Sequence, residues 1–108
     1  MQLNVKRINQ MASGGSYVVI YDADVSFSCG AEISVSVAAA EPPNADPQLV
    51  EMAREAIMRG AERILAPLQR GAQIRVLRLV IHPTDFKPGW FERFTAWELQ
   101  QLVGSDNG

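Results

Sequence analysis

The chain is poor in the residues that most chemistry requires. It has one cysteine and one histidine. Cys29 therefore has no partner for an internal disulfide, and it reads as a small buried hydrophobe in a reducing compartment. One Cys and one His also exclude the familiar structural zinc patterns. No Gly-x-x-x-x-Gly-Lys-Ser/Thr loop is present, so nucleotide triphosphate binding of that kind is excluded and no cofactor is expected. Excess positive charge is missing too: 10 Lys and Arg stand against 12 Asp and Glu, for a net charge of −2. Strong nonspecific nucleic-acid binding needs a basic surface, so any such surface here has to be local. No apolar run approaches the roughly 20 residues of a membrane span. The first residues, Met1 to Arg7, lack the charge-then-apolar order of a signal peptide, and a cytoplasmic location is expected.

A complete catalytic set is absent as well. Ser13, His82 and Asp85 supply the residue types of a nucleophile, base and orienter. However, His82 and Asp85 sit three apart in a Pro-containing turn, and there is no Gly-x-Ser-x-Gly elbow. The expectation is a protein that is not an enzyme. Asp22 and Asp24 share one side of a strand, but two carboxylates without further ligands read as solubilising surface rather than a cation site.

What is present is a well-patterned chain of 108 residues with 47% hydrophobic content, expected to form one domain over residues 1–108. Leu3, Val5 and Ile8 give a short strand pattern. Ser13-Gly14-Gly15-Ser16 is a turn. Tyr17 to Tyr21 is rich in β-formers. Val25, Phe27, Cys29, Ala31, Ile33, Val35 and Val37 alternate with polar residues, which predicts sheet with one wet face. Gly30 falls in the middle and reads as a tight turn or bulge between two antiparallel strands.

Asp46-Pro47 predicts an N-cap followed by the first residue of a helix. Leu49, Ala53, Ile57, Ile64 and Leu68 then recur at helical spacing, with Val50, Ala61 and Leu65 beside them. The charged residues of this segment read as a solvated face, with Glu51–Arg54 and Glu55–Arg59 spaced for exposed pairs. Gly60 weakens the helix and marks a close backbone approach. After the break at Gln69-Arg70-Gly71, Ile74 to Ile81 is apolar on both parities, which predicts a strand that is central or covered on both faces. A last helix is expected from Trp90 to Val103, followed by a frayed tail over 104–108. The order is β-β-β-α-β-α. It predicts an α+β fold with a three- or four-stranded sheet and two helices on one face.

Between the last strand and last helix lies His82-Pro83-Thr84-Asp85-Phe86-Lys87-Pro88-Gly89-Trp90. A connection that concentrates the one titratable imidazole, rigid turn residues and a large aromatic is a candidate site. The helix beyond it carries apolar residues over more than one stripe, which predicts either a deep groove that buries most of the helix or an exposed aromatic arc. Trp90, Phe94 and Trp97 form one arc, and Phe91, Leu99 and Leu102 form another. An exposed aromatic arc fits a protein partner or a second subunit.

Three stretches resemble domain IV of elongation factor G, the translocase whose fourth domain reaches the ribosomal decoding site. They are the helix from Asp46 to Gly60 with its Pro near the start and Arg-Glu-Ala-Ile-Met-Arg-Gly ending, the strand Ile74 to Leu79, and the His82-Pro83-Thr84-Asp85 loop with Phe91 in the following helix. The match covers Asp46 to Val103. The family's Gly-Gly-Val-Ile-Pro loop is replaced by Glu41-Pro42-Pro43-Asn44, and Pro88-Gly89-Trp90 replaces its Ser-Ser stretch. The resemblance implies a mixed sheet with a left-handed β-α-β crossover and a non-catalytic role in translation. RNA or the ribosome would be met through His82, Asp85 and Lys87, with Arg75 or Arg78 as further contacts. The alternative reading is a protein-interaction or homo-oligomerisation module using Trp90, Phe94 and Trp97.

Overall fold

The computed structural model describes residues 1–9 and 16–107, with the side chains of 105–107 excepted. Its elements are β1 (Gln2–Asn9), β2 (Tyr17–Ser28), β3 (Ile33–Val37), β4 (Ala40–Glu41), α1 (Pro47–Leu65), β5 (Gly71–Val80) and α2 (Pro88–Asn107). The fold is α+β, as expected, with a mixed sheet in the order β1-β2-β5-β3 and the two-residue β4 beside β5. Both helices pack on one face. The Ser13-Gly14-Gly15 part of the predicted turn lies outside the described residues.

The alternation read from the sequence places Leu3, Val5, Tyr21, Ala23, Val25 and Val35 under the helices, each less than a tenth exposed. Ser26, Ser34 and Ser36 lie on the wet face. Two expectations for this region are corrected. Gly30 does lie in a turn, but it does not join a hairpin: β5 lies between β2 and β3, antiparallel to the first and parallel to the second. The pattern could not reveal this, because the inserted strand comes more than 30 residues later in the chain. Cys29 is exposed rather than buried. It sits in that turn, where the sheet's alternation no longer governs burial.

β5 is central, with β2, β3 and β4 as neighbours. Its apolar residues on both parities have a different cause from two-sided cover. Asp22 pairs with Arg78 and Ala23 with Val76, so Leu77 is an extra residue opposite β2. This bulge switches the inward parity. Ile74 and Val76 point into the core before it, and Leu79 does so after it.

α1 begins as predicted, with the Asp46 carboxylate accepting the Gln48 N–H at 2.9 Å and Pro47 as the first helical residue. Its buried face is built of small residues, Ala53, Ala56, Gly60 and Ala61, together with Ile57 and Leu65. Leu68, expected on the stripe, is half exposed because the helix ends at Leu65 and a 3-10 turn follows. Gln69 then takes a left-handed conformation (φ 54°) that reverses the chain into β5. Gly60 marks the close approach read from the sequence. A Cβ there would lie 2.5 Å from the Glu92 carbonyl oxygen and 2.9 Å from the Thr95 Cβ, both on α2.

The charged face of α1 is not wholly a solvated one. Glu51 and Arg54 pair as expected. Arg59, predicted to face Glu55, instead bonds Glu92 of α2 at 2.9 Å, and Arg63 reaches the same carboxylate at 3.4 Å. The helix–helix contact thus has small residues beneath and a charged bridge above.

α2 starts two residues before the predicted Trp90 and continues through 104–107, which the sequence assigned to a frayed tail. Val103 is buried, and this anchor carries the helix past Gly104. Phe91, Thr95 and Leu99 are fully buried along its sheet-facing side. The Tyr21 hydroxyl, in the core, hydrogen-bonds the Thr95 hydroxyl at 2.6 Å. Burial pushes the Tyr21 phenol well above its ordinary pKa, so it stays neutral and able to donate. Among the described residues, no helix is long and apolar enough to cross a membrane.

Candidate functional site

The loop between β5 and α2 folds back onto the start of β2. The Asp85 N–H donates to the His82 carbonyl at 3.1 Å, closing the Pro83-Thr84 turn, and the Val18 N–H donates to the Asp85 carbonyl at 3.3 Å. Asp85 as a whole is only 8% exposed. One of its carboxylate oxygens accepts the Ser16 hydroxyl at 2.7 Å, and the other lies 3.3 Å from His82 Nδ1. The Lys87 ammonium donates to the Ser16 backbone carbonyl. Asp85, expected as an RNA contact, is therefore the loop's own fastening: its lone pairs are engaged by neighbours and its surface is covered.

The Ser16 hydroxyl donates its hydrogen bond to the carboxylate that also faces His82, so among the described residues the serine and the imidazole meet through Asp85 and not directly. Ser13, the serine considered from the sequence, lies outside the described residues. His82 itself stays about half exposed.

Beyond the fastening, the chain builds an aromatic stack. Trp90 lies 4.5 Å from Tyr17, centroid to centroid, and Phe94 lies 5.3 Å from Trp90 and 5.4 Å from Tyr17. The predicted arc of Trp90, Phe94 and Trp97 is thus divided. The first two pack against β2 and are half-buried, whereas Trp97 is 61% exposed. The Arg93 guanidinium covers the Trp90 ring at 4.7 Å, and Arg7 covers Phe94 at 5.5 Å. A shallow depression of about 310 Å³ is lined by Lys87, Gly89, Trp90 and Arg93. Two cations and the Trp90 indole thus line one concave surface, with Arg93 stacked on the ring.

Sequence reasoning placed Lys87 and Trp90 here but missed Arg93, Ser16 and Tyr17. The signal for Arg93 was its spacing: three residues after Trp90 on a helix, it shares that side chain's face. Ser16 and Tyr17 are distant in sequence and carry no local signal.

The other cations proposed from the sequence lie elsewhere. Arg78 is on the open sheet face, held by Glu41 at 2.8 Å and Asp22 at 3.5 Å. Its hydrogen bond keeps the Glu41 carboxyl below the usual carboxylate range. Asp22 is accordingly a partner for arginine, and among the described residues no cluster of three or more His, Cys, Asp or Glu could hold a metal ion. Arg75 is exposed on the same face. A second depression, of about 280 Å³, lies at the opposite end of the sheet between Ser28, Glu32, Ser34 and Gln73, with Arg75 two residues beyond Gln73 on the same strand.

No family model matches the chain, and no curated protein matches it.

Proposed function

We propose that this chain is a non-catalytic, translation-related domain resembling domain IV of elongation factor G, and that it contacts RNA or the ribosome through His82, Lys87, Trp90 and Arg93. The observation that supports this reading is the depression in which Lys87 and Arg93 flank the Trp90 ring. Single-stranded RNA is recognised by this combination: an aromatic or guanidinium plane for an unstacked base, and cations for the adjoining phosphates. With a net charge of −2, any electrostatic attraction for RNA has to come from a local surface such as this one.

The reading is tested by titrating the protein with a single-stranded RNA oligonucleotide and with ribosomes at rising salt. Lys87 and Arg93 neutralise about two phosphates, so log K falls against log salt with a slope of about −1.4. Arg93→Ala lowers that slope by about 0.7 for the oligonucleotide. Trp90→Ala weakens binding by roughly 1–3 kcal/mol, provided far-UV circular dichroism shows the fold intact. Absence of binding to either probe at low salt overturns the reading.

A further inference from the structure

Among the described residues, β1 is the outermost strand of the sheet and pairs with β2 alone. The direction of its backbone groups follows from one pair: Met1 N bonds the Val25 carbonyl at 2.8 Å, and Val25 N bonds the Met1 carbonyl at 2.7 Å. Antiparallel ladders alternate, and the β1–β2 register holds without a break. Leu3, Val5 and Arg7 therefore also aim their N–H and C=O groups at β2. Gln2, Asn4, Lys6 and Ile8 aim theirs outward, at the free edge.

The helix above this edge carries the largest exposed apolar side chain described, Trp97 at 61%. Its neighbour Glu98 bonds Arg7 of β1 at 2.6 Å, and Phe94 lies under the Arg7 guanidinium, so this side of α2 borders the edge strand. A free strand edge and a free indole thus occupy the same side of the molecule.

We propose that this side is an interface for a second copy of the chain, with β1 pairing antiparallel to β1 of the copy about a two-fold axis and Trp97 of each covering the junction. The sequence of β1 is self-complementary in a register centred on Val5. Opposed residues must share a face, and the outward-aimed groups must meet each other. A two-fold axis through Val5 satisfies both conditions. It opposes Asn4 to Lys6 and Gln2 to Ile8 as hydrogen-bonded pairs, and Leu3 to Arg7 as a non-hydrogen-bonded pair. No like charges face one another. Each Lys6 falls beside an Asn4 whose β2 neighbour is Asp22, which places a cation near a carboxylate. Shifting the axis to Lys6 would oppose two lysines. A second copy also brings the same helical layer to the junction, so the two indoles meet across it, as an isologous contact requires.

Sedimentation velocity up to about 100 µM tests this, a range that detects micromolar association. The expected species is a dimer, weakened at least about tenfold by Trp97→Ala. Asn4→Pro removes an outward N–H while sparing the bonds to β2, and it yields a folded monomer. Because proline can disturb β1 itself, a Cys29→Ser protein carrying Asn4→Cys and Lys6→Cys supplies a second measurement. Opposed hydrogen-bonded residues lie about 5.5 Å apart at Cα, within disulfide reach, so mild oxidation gives a covalent dimer. A wild-type protein that stays monomeric throughout overturns the proposal. So does a dimer that both Trp97→Ala and Asn4→Pro leave intact, or one in which the paired cysteines form no cross-link between chains.

Discussion

α1 and α2 are nearly the same length, 19 and 20 residues, and lie side by side on one sheet, yet they are built from different side chains. α1 buries mainly alanines and a glycine, and its large residues are few. α2 carries Trp90, Phe91, Phe94 and Trp97 within its first ten residues. The small face of α1 lets the backbones approach until Gly60 touches the Glu92 carbonyl. The bulky face of α2 fills the sheet side with Phe91 and still leaves aromatics for β2 and for solvent. The apolar residues of α1 lie mostly on one stripe and pack inside the fold, with Met52 left 44% exposed. A helix with aromatics on several sides has a surplus, and in this protein both the proposed RNA surface and the proposed dimer contact draw on that surplus.

The largest expected effect separates the two roles within α2 itself. Phe91 is fully buried, stacked near Tyr21 and in contact range of Phe86. Phe91→Ala is expected to cost roughly 3–5 kcal/mol in chemical denaturation. Trp97→Ala, measured in dilute solution where association is absent, is expected to change stability by less than about 0.5 kcal/mol. Comparable losses from both substitutions would mean that Trp97 is an ordinary packing residue and that the division of the arc is wrong.

The next effect probes α1. Gly→Ala within a helix normally stabilises by about 1 kcal/mol, because alanine is the better helix former. At Gly60 the sign reverses. The added methyl meets backbone of the neighbouring helix, which yields less readily than a flexible side chain. A loss of about 1–3 kcal/mol is expected from this overpacking. A Gly60→Ala protein more stable than wild type would show that the helices are free to separate.

The contrast between the helices was only half legible in the sequence. α1 showed its N-cap at Asp46, its stripe and even the close approach at Gly60, because all of these are local signals with helical spacing. For α2 the excess of aromatics was visible, but their sorting was not. Trp90 and Phe94 are held by Tyr17, which lies more than 70 residues earlier, whereas Trp97 has no aromatic partner among the described residues. The same limit explains β5. Its place between β2 and β3 and the bulge at Leu77 are properties of pairing, which alternation within one strand does not encode. At the candidate site, His82, Lys87 and Trp90 stood out by rarity and crowding. Asp85 looked like a surface acid beside them, and only the fold brings Ser16 and Val18 onto it.

The smallest expected effect lies at a polar contact inside the core, where α2 meets β2. The Tyr21 and Thr95 hydroxyls are both buried and bond each other at 2.6 Å. Tyr21→Phe leaves the Thr95 oxygen with a lost partner, and Thr95→Val does the same to the phenol. Each is expected to cost about 1–2 kcal/mol, since a buried polar group loses water and gains nothing in return. The double substitution removes both groups, so its cost should fall below the sum of the two single costs by at least about 0.5 kcal/mol. That coupling, measured by a double-mutant cycle in urea, separates a specific hydroxyl pair from mere proximity. Strict additivity would mean that α2 is held on the sheet by apolar packing around Phe91 alone, with the hydroxyl pair contributing nothing to its position. A clear coupling instead fixes the rotation of α2 about its own axis. That rotation keeps Phe91 inward, places Arg93 over Trp90, and leaves Trp97 pointing away from the fold.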